Sequence, residues 1–163
     1  MPIRDAVEAD LPVILAITND AVRTTTAVWN ETPTTLEART AWLRDRQAQG
    51  YAVLVVEEAG RVEGFASLGP FRPFEGYART TELSIYVDRQ ARGRGHGSAL
   101  LGALVERART LGMHVIVAGI AGDNEVSIGL HRRHGFAEVG RMPEVGRKFG
   151  RWLDLVLMQR LLD

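Results

Sequence analysis

Residues 87–104 read VDRQARGRGHGSALLGAL. Four basic side chains (Arg89, Arg92, Arg94, His96) and three glycines at alternate positions (Gly93, Gly95, Gly97) run straight into an apolar segment with helical spacing. Glycine is costly in backbone entropy, so such a cluster marks a backbone that bends tightly or approaches something closely. Upstream, TTELSIYVD (80–88) alternates as a strand does; downstream, SALLGALVERARTLG (98–112) is an amphipathic helix closed by Gly112. HVIVAGI (114–120) follows as a short, wholly apolar run, which suits a buried strand. Strand, glycine turn, helix and strand in that order make a parallel crossover.

Outward from the crossover, period and punctuation set the remaining elements. PIRDAV is a short first strand, and ADLPVILAITNDAVR a helix with Asp10 as its cap and Pro12 in its first turn. TTAVWN is extended or loop-like, and TLEARTAWLRDRQAQG is a helix starting near Thr34 or Thr35 and ending at Gly50. YAVLVVEE and VEGFASLG form a hairpin about the turn AGR, and PFRPFEGYAR is a loop. After the crossover, NEVSIGLHRRHG is a helix capped by Asn124 and ended by Gly135, with FAEVGRM and RWLDLVLMQRLL as final strands. The order predicts an α/β fold of the α+β type. One mixed, mostly antiparallel sheet is flanked by helices in a single domain over residues 1–163.

Composition excludes several classes. The 163 residues are 45% hydrophobic and 25% charged, an ordinary globular balance, and the formal charge of zero gives no basic field for nucleic acid. There is no cysteine, hence no disulfide, thiolate nucleophile or cysteine-bound metal. No leader and no membrane-length apolar run stand out, so a soluble cytoplasmic protein is expected. Nearly all cationic side chains are arginine; Lys148 is the one lysine.

The glycine turn has two readings. Unpaired amides at a helix start, with side chains removed at 93, 95 and 97, suit a phosphate; the same residues also make a tight turn with solvated arginines. A Walker loop is excluded because no lysine follows, and a dinucleotide fingerprint fails at Ser98, where its third glycine belongs. Elsewhere, His131 and His134 lack a third ligand, so no metal site is expected. Ser98 and Ser127 read as cap or cofactor neighbours, since the segment around Ser127 misses the first glycine of a nucleophile elbow. ERART and LHRRH read as solvated helix faces. Glu82, at a strand start, is a general base or a solvated carboxylate.

The run QARGRG from Gln90 to Gly95 matches the Q/R-x-x-G-x-G/A acyl-CoA signature of the GNAT superfamily of N-acetyltransferases, and NEVSIGLHRRHGF (124–136) resembles a second segment of that superfamily. TTELSIYV, FRPFEGY, AVWNETP and EVGRKFGRWLDLVLMQ resemble its phosphinothricin acetyltransferase-like branch, especially the methionine sulfoximine and methionine sulfone acetyltransferases, over almost the whole chain. The resemblance implies the GNAT fold, acetyl-CoA as co-substrate and a homodimer with the VGRKFGRW region near the active site or interface. Neither a metal, nor nucleic acid, nor a membrane is implied. It places the pyrophosphate on Gly93, Arg94, Gly95, His96, Gly97 and Ser98, the pantetheine arm beside Ile85, Tyr86 and Val87, and its thiol end near Asn124.

By the same resemblance, Glu82 is the general base that frees an α-amino group for direct attack, with a strand N–H to hold the oxyanion. His131, standing where many relatives have tyrosine, or Tyr86 returns a proton to the thiolate. Arg72 would clamp a carboxylate, Trp29 and Phe74 would wall an apolar group, and Pro73, Leu83 and Ser84 complete the substrate contacts. Leu83 departs from the histidine often found after the glutamate. Competing readings are another amine, such as a protein N-terminus or a polyamine, or an acyl-CoA-binding module without turnover.

Overall fold

The computed structural model describes residues 1–162. Seven strands form one sheet in the order β1-β2-β3-β4-β5-β7-β6. They are β1 (Ile3–Asp5), β2 (Val53–Glu58), β3 (Arg61–Pro70), β4 (Thr80–Val87), β5 (Val115–Ala121), β6 (Ala137–Lys148) and β7 (Arg151–Leu161). Four helices join them: α1 (Leu11–Thr24), α2 (Leu36–Ala48), α3 (His96–Thr110) and α4 (Glu125–Arg133). Every neighbouring strand pair is antiparallel except β4 and β5, the pair joined through α3. The expected mixed, mostly antiparallel sheet flanked by helices is therefore the observed one.

Strand alternation divides the core between two faces. Leu54, Val56, Ala66, Leu83, Ile116, Ala118 and Met158 turn to α3 and α4, where Leu100, Leu101, Leu104 and Ile128 close the layer. Val53, Val55 and Phe65 turn the other way, onto Leu11, Ile14 and Ile17 of α1 and Leu43 of α2. Burial of these apolar faces supplies the main driving force, roughly 25 cal/mol for each Å² removed from water. Glu82 lies on the α1–α2 side, one residue out of phase with Leu83.

Local chemistry sets the helix ends. Thr35 caps α2 by accepting from Ala38 N at 3.1 Å, and Asn124 caps α4 by accepting from Ser127 N at 3.1 Å. Asp10 does not cap α1 as its sequence position suggests. A 3₁₀ turn (Glu8–Asp10) runs directly into that helix, and the Asp10 carboxylate folds back to Val7 N at 2.8 Å and the Arg4 guanidinium at 2.8 and 2.9 Å. α3 starts at His96, two residues earlier than its apolar pattern, because Gly95 supplies a left-handed N-cap (φ 85°). β6 is longer than FAEVGRM; breaks in register between Glu138 and Gly140 and between Met142 and Gly146 obscure its alternation in sequence.

Candidate active site

Gly93 and Gly95 both take left-handed backbone conformations (φ 78° and 85°) that other residues adopt only at a cost. The first hydrogen bond closing α3 is Ala99 N to Gly95 O at 3.0 Å; among the described residues, no N–H from Gly93 to Ser98 donates to a protein acceptor. These amides lie at the start of α3, where the helix dipole is positive and unpaired N–H groups suit an anion. The His96 ring is buried, with Nδ1 3.1 Å from Met1 Sδ, so this residue offers the loop only its main chain. Arg94 reaches Glu58 at 3.4 Å, and the Ser98 hydroxyl stands 2.8 Å from His134 Nε2.

β4 and β5 pair over only three positions, Thr80 with Val115, Thr81 with Ile116 and Glu82 with Val117. Beyond Glu82 they part: β4 continues to Val87 bonded to β3 alone, and β5 continues to Ala121 bonded to β7 alone. The fork bares the main chain of β4 past Glu82, including Ile85, Tyr86 and Val87, and it opens toward the glycine turn that follows. A fork of open main chain leading to an anion cradle fits the acyl-CoA group that the sequence implies. Asn124 spends its carbonyl oxygen on the α4 cap.

At the closed end of the fork lies a cleft of about 410 Å³, on the α1–α2 face of the sheet. It gathers Trp29, Arg72 and Glu82 from separate parts of the chain, with Phe71, Leu155 and Leu157 around them. Gly119 lies beside the carboxylate, with Glu82 Oε1 3.9 Å from the position a Cβ would take, an ordinary van der Waals distance. Burial pushes the Glu82 carboxyl above its ordinary value, against the opposing pull of Arg72 and then Arg46.

Arg46 of α2 is a residue that sequence reasoning missed, because an arginine on a polar helix reads as solvated. Its guanidinium lies flat on Gly69, the cross-strand partner of Glu82, with Cζ 2.7 Å from where a Cβ would sit. Leu155 and Leu157 were also missed, although the alternation of β7 places them on one face. Their burial partners were not readable.

Other expected residues fall elsewhere. The Leu83 side chain is in the α3–α4 core, Phe74 is 70% exposed, and Pro73 is exposed outside the cleft lining. Their side chains do not wall this cleft; the period of β4 turns Leu83 inward, and the loop turns Phe74 out. Ser84 shares the face of Glu82 and Tyr86, whose ring packs on Phe65 at 5.3 Å. Burial raises the Tyr86 phenol above its ordinary value, so it keeps its proton at neutral pH.

His131 is buried edge-on to Phe136, with Nδ1 2.7 Å from the Ser127 carbonyl, which makes Nδ1 the N–H donor. Burial also lowers its pKa, so Nε2, which has no protein partner, presents an acceptor and no proton. Among the described residues no group of three or more His, Asp or Glu is placed to hold a metal ion, and no helix is long and apolar enough to cross a membrane.

Residues 3–157 match the family model described as an acetyltransferase (GNAT) domain. The L-methionine sulfoximine/L-methionine sulfone acetyltransferase of Pseudomonas aeruginosa is 59% identical over 162 residues, covering 99% of this chain and 94% of that protein. The crystal structure of a ribosomal-protein-alanine N-acetyltransferase from Brucella melitensis superposes with a TM-score of 0.98 at 55% identity, over 99% of this chain and 100% of that one. A GNAT superfamily phosphinothricin acetyltransferase from Sinorhizobium meliloti, in complex with acetyl-CoA, gives 0.96 at 40% identity, over 99% and 88%. A forked sheet, an open amide cradle and likeness along the full chain agree: this protein belongs to the GNAT family of acetyltransferases.

Proposed function

We propose that this protein transfers the acetyl group of acetyl-CoA to the α-amino group of a small free amino acid, with methionine sulfone, methionine sulfoximine and phosphinothricin as leading acceptors. The observation that carries this reading is the meeting of Glu82 and Arg72 in one amino-acid-sized cleft at the closed end of the β4–β5 fork. The amides of residues 93–98 would hold the pyrophosphate, and the bare edge of β4 would lie along the pantetheine arm. Arg72 supplies a fork of donors for the acceptor's carboxylate. Trp29, Leu155 and Leu157 offer an apolar side to its side chain.

An α-amino group is mostly protonated below about pH 8, so attack needs a base. Glu82 takes the proton, the amine nitrogen forms a bond to the thioester carbonyl carbon, and main-chain N–H groups of the β4 edge steady the oxygen. The nitrogen, cationic after attack, releases its second proton to solvent, and the C–S bond breaks with its electron pair on sulfur. Tyr86 is the better source of the proton the thiolate regains, since its phenol stays protonated while His131 presents a lone pair. The reaction belongs to the cytoplasm, where acetyl-CoA is available. The exposed Val139, Met142, Val145 and Trp152 on the β6–β7 hairpin support a homodimer.

Incubation with acetyl-CoA and a panel of amines, following free thiol, tests the reading. The expected result is rapid thiol release with methionine sulfone, methionine sulfoximine or phosphinothricin and little with polyamines or alanine-terminated peptides. Release with peptides or polyamines alone would overturn the acceptor, and acetyl-CoA binding without turnover on any amine would overturn the reaction.

A further inference from the structure

Lys148, the chain's one lysine, is 1% exposed at the end of β6. Among the described residues no carboxylate lies within ion-pair reach of it. Its ammonium instead donates to two main-chain carbonyls, Thr25 O at 2.7 Å and Val28 O at 2.6 Å, and rests over the Phe149 ring at 4.8 Å. A buried charge with no directly paired carboxylate is expensive; Glu31 favours it only from a distance, and its hydrogen bonds go to one short loop between α1 and α2. That loop carries Ala27 and Trp29 into the cleft.

Two neighbouring contacts hold the same loop from the same hairpin, and a third fastens it to itself. Gly146 leaves the space the Trp29 ring fills: a Cβ there would stand 2.2 Å from Trp29 Cε3 and Cζ3. Phe149 N donates to Glu31 Oε1 at 2.9 Å. Trp29 Nε1 donates back to Thr26 O at 3.0 Å, so the indole is fixed on the segment that Lys148 spans. The loop itself is irregular and has few main-chain bonds of its own, which leaves the hairpin to decide where the indole stands.

We propose that Lys148 is a positioning residue for acceptor recognition: by holding the carbonyls of Thr25 and Val28 it fixes the loop that sets Trp29 as a wall of the cleft. It touches neither acceptor nor acetyl-CoA, and its effect passes through Trp29. The inference rests on the cleft being the acceptor site, and the test separates the two.

Steady-state kinetics of the full chain would compare Lys148→Met, Trp29→Ala and the double variant, with methionine sulfone and acetyl-CoA each varied. Lys148→Met is expected to raise KM for methionine sulfone by about tenfold while KM for acetyl-CoA stays within about twofold. In the Trp29→Ala background the same substitution should add less than about twofold, because the wall it positions is gone. A methionine sulfone KM that Lys148→Met leaves unchanged, an equal rise in both KM values, or full additivity in the double variant would each overturn the proposal. If Lys148→Met does not fold, Gly146→Ala displaces the same indole by direct contact. It should give the same split between the two KM values, and an unchanged methionine sulfone KM there would also overturn the proposal. Should Trp29→Ala itself leave the methionine sulfone KM unchanged, the acceptor-site reading of the cleft fails and takes the role of Lys148 with it. Should Trp29→Ala raise that KM where Lys148→Met does not, only the role of Lys148 falls.

Discussion

Glu82 stands under opposed forces. Partial burial disfavours its charge and raises its carboxyl, while Arg72 and Arg46 favour the charge and hold that rise in check. A base must be unprotonated to act, so kcat/KM should climb as pH passes through the Glu82 pKa, at a pH above the ordinary glutamate value. Glu82→Gln keeps the shape and removes the base: a fall in kcat of about 10²–10⁴-fold is expected, with loss of that acidic limb. A pH–rate profile of both proteins checks this, and an unchanged limb would assign the base elsewhere. Neither the base role nor its tuning was legible from the sequence without the family likeness. An isolated strand-end glutamate looks solvated, and both arginines reach it only through the fold.

At the scale of elements, the glycine turn before α3 was legible as a tight backbone bend, although the apolar pattern placed the helix start two residues late. Gly95 takes a positive φ as the N-cap of α3, a backbone angle that glycine adopts without a side-chain clash. Gly95→Ala should cost about 1–2 kcal/mol of stability in urea unfolding, by forcing a side chain into the left-handed region. It should also raise KM for acetyl-CoA with little change for the amine, since the displaced groups are the cradle amides. Equal KM values in variant and parent would place the pyrophosphate elsewhere. The fork beside the cradle was hidden. TTELSIYV and HVIVAGI both read as continuous strands, and nothing local reveals that their pairing stops after Glu82 and Val117.

For the whole molecule, the β6–β7 hairpin does two things that its sequence shows only as alternation. Inward, Gly146, Lys148 and Phe149 grip the loop of Trp29; outward, Val139, Met142, Val145 and Trp152 remain exposed. Apolar side chains gathered on one hairpin suit a partner surface. Sedimentation at micromolar concentration should give twice the 18.0 kDa chain mass, and Trp152→Glu should shift the population toward the single chain. A wild-type chain that sediments alone would remove the dimer from the account.

The chain's own pattern determined the order of elements, the alternation that gives each strand two faces and the glycine turn before α3. Each of those rests on neighbours a few residues apart, through alternation, helical spacing or a backbone angle that glycine permits. Only the tertiary structure decided which side chains share the cleft. Trp29, Arg72, Glu82 and Leu155 lie on different elements, and their meeting depends on strand order, on where β4 and β5 part and on the grip of a distant hairpin. Leu83 and Phe74 mark the difference from the other side: adjacent or near in sequence to Glu82 and Arg72, they point elsewhere, because a strand reverses its side chains at every residue and a loop is aimed by what packs against it.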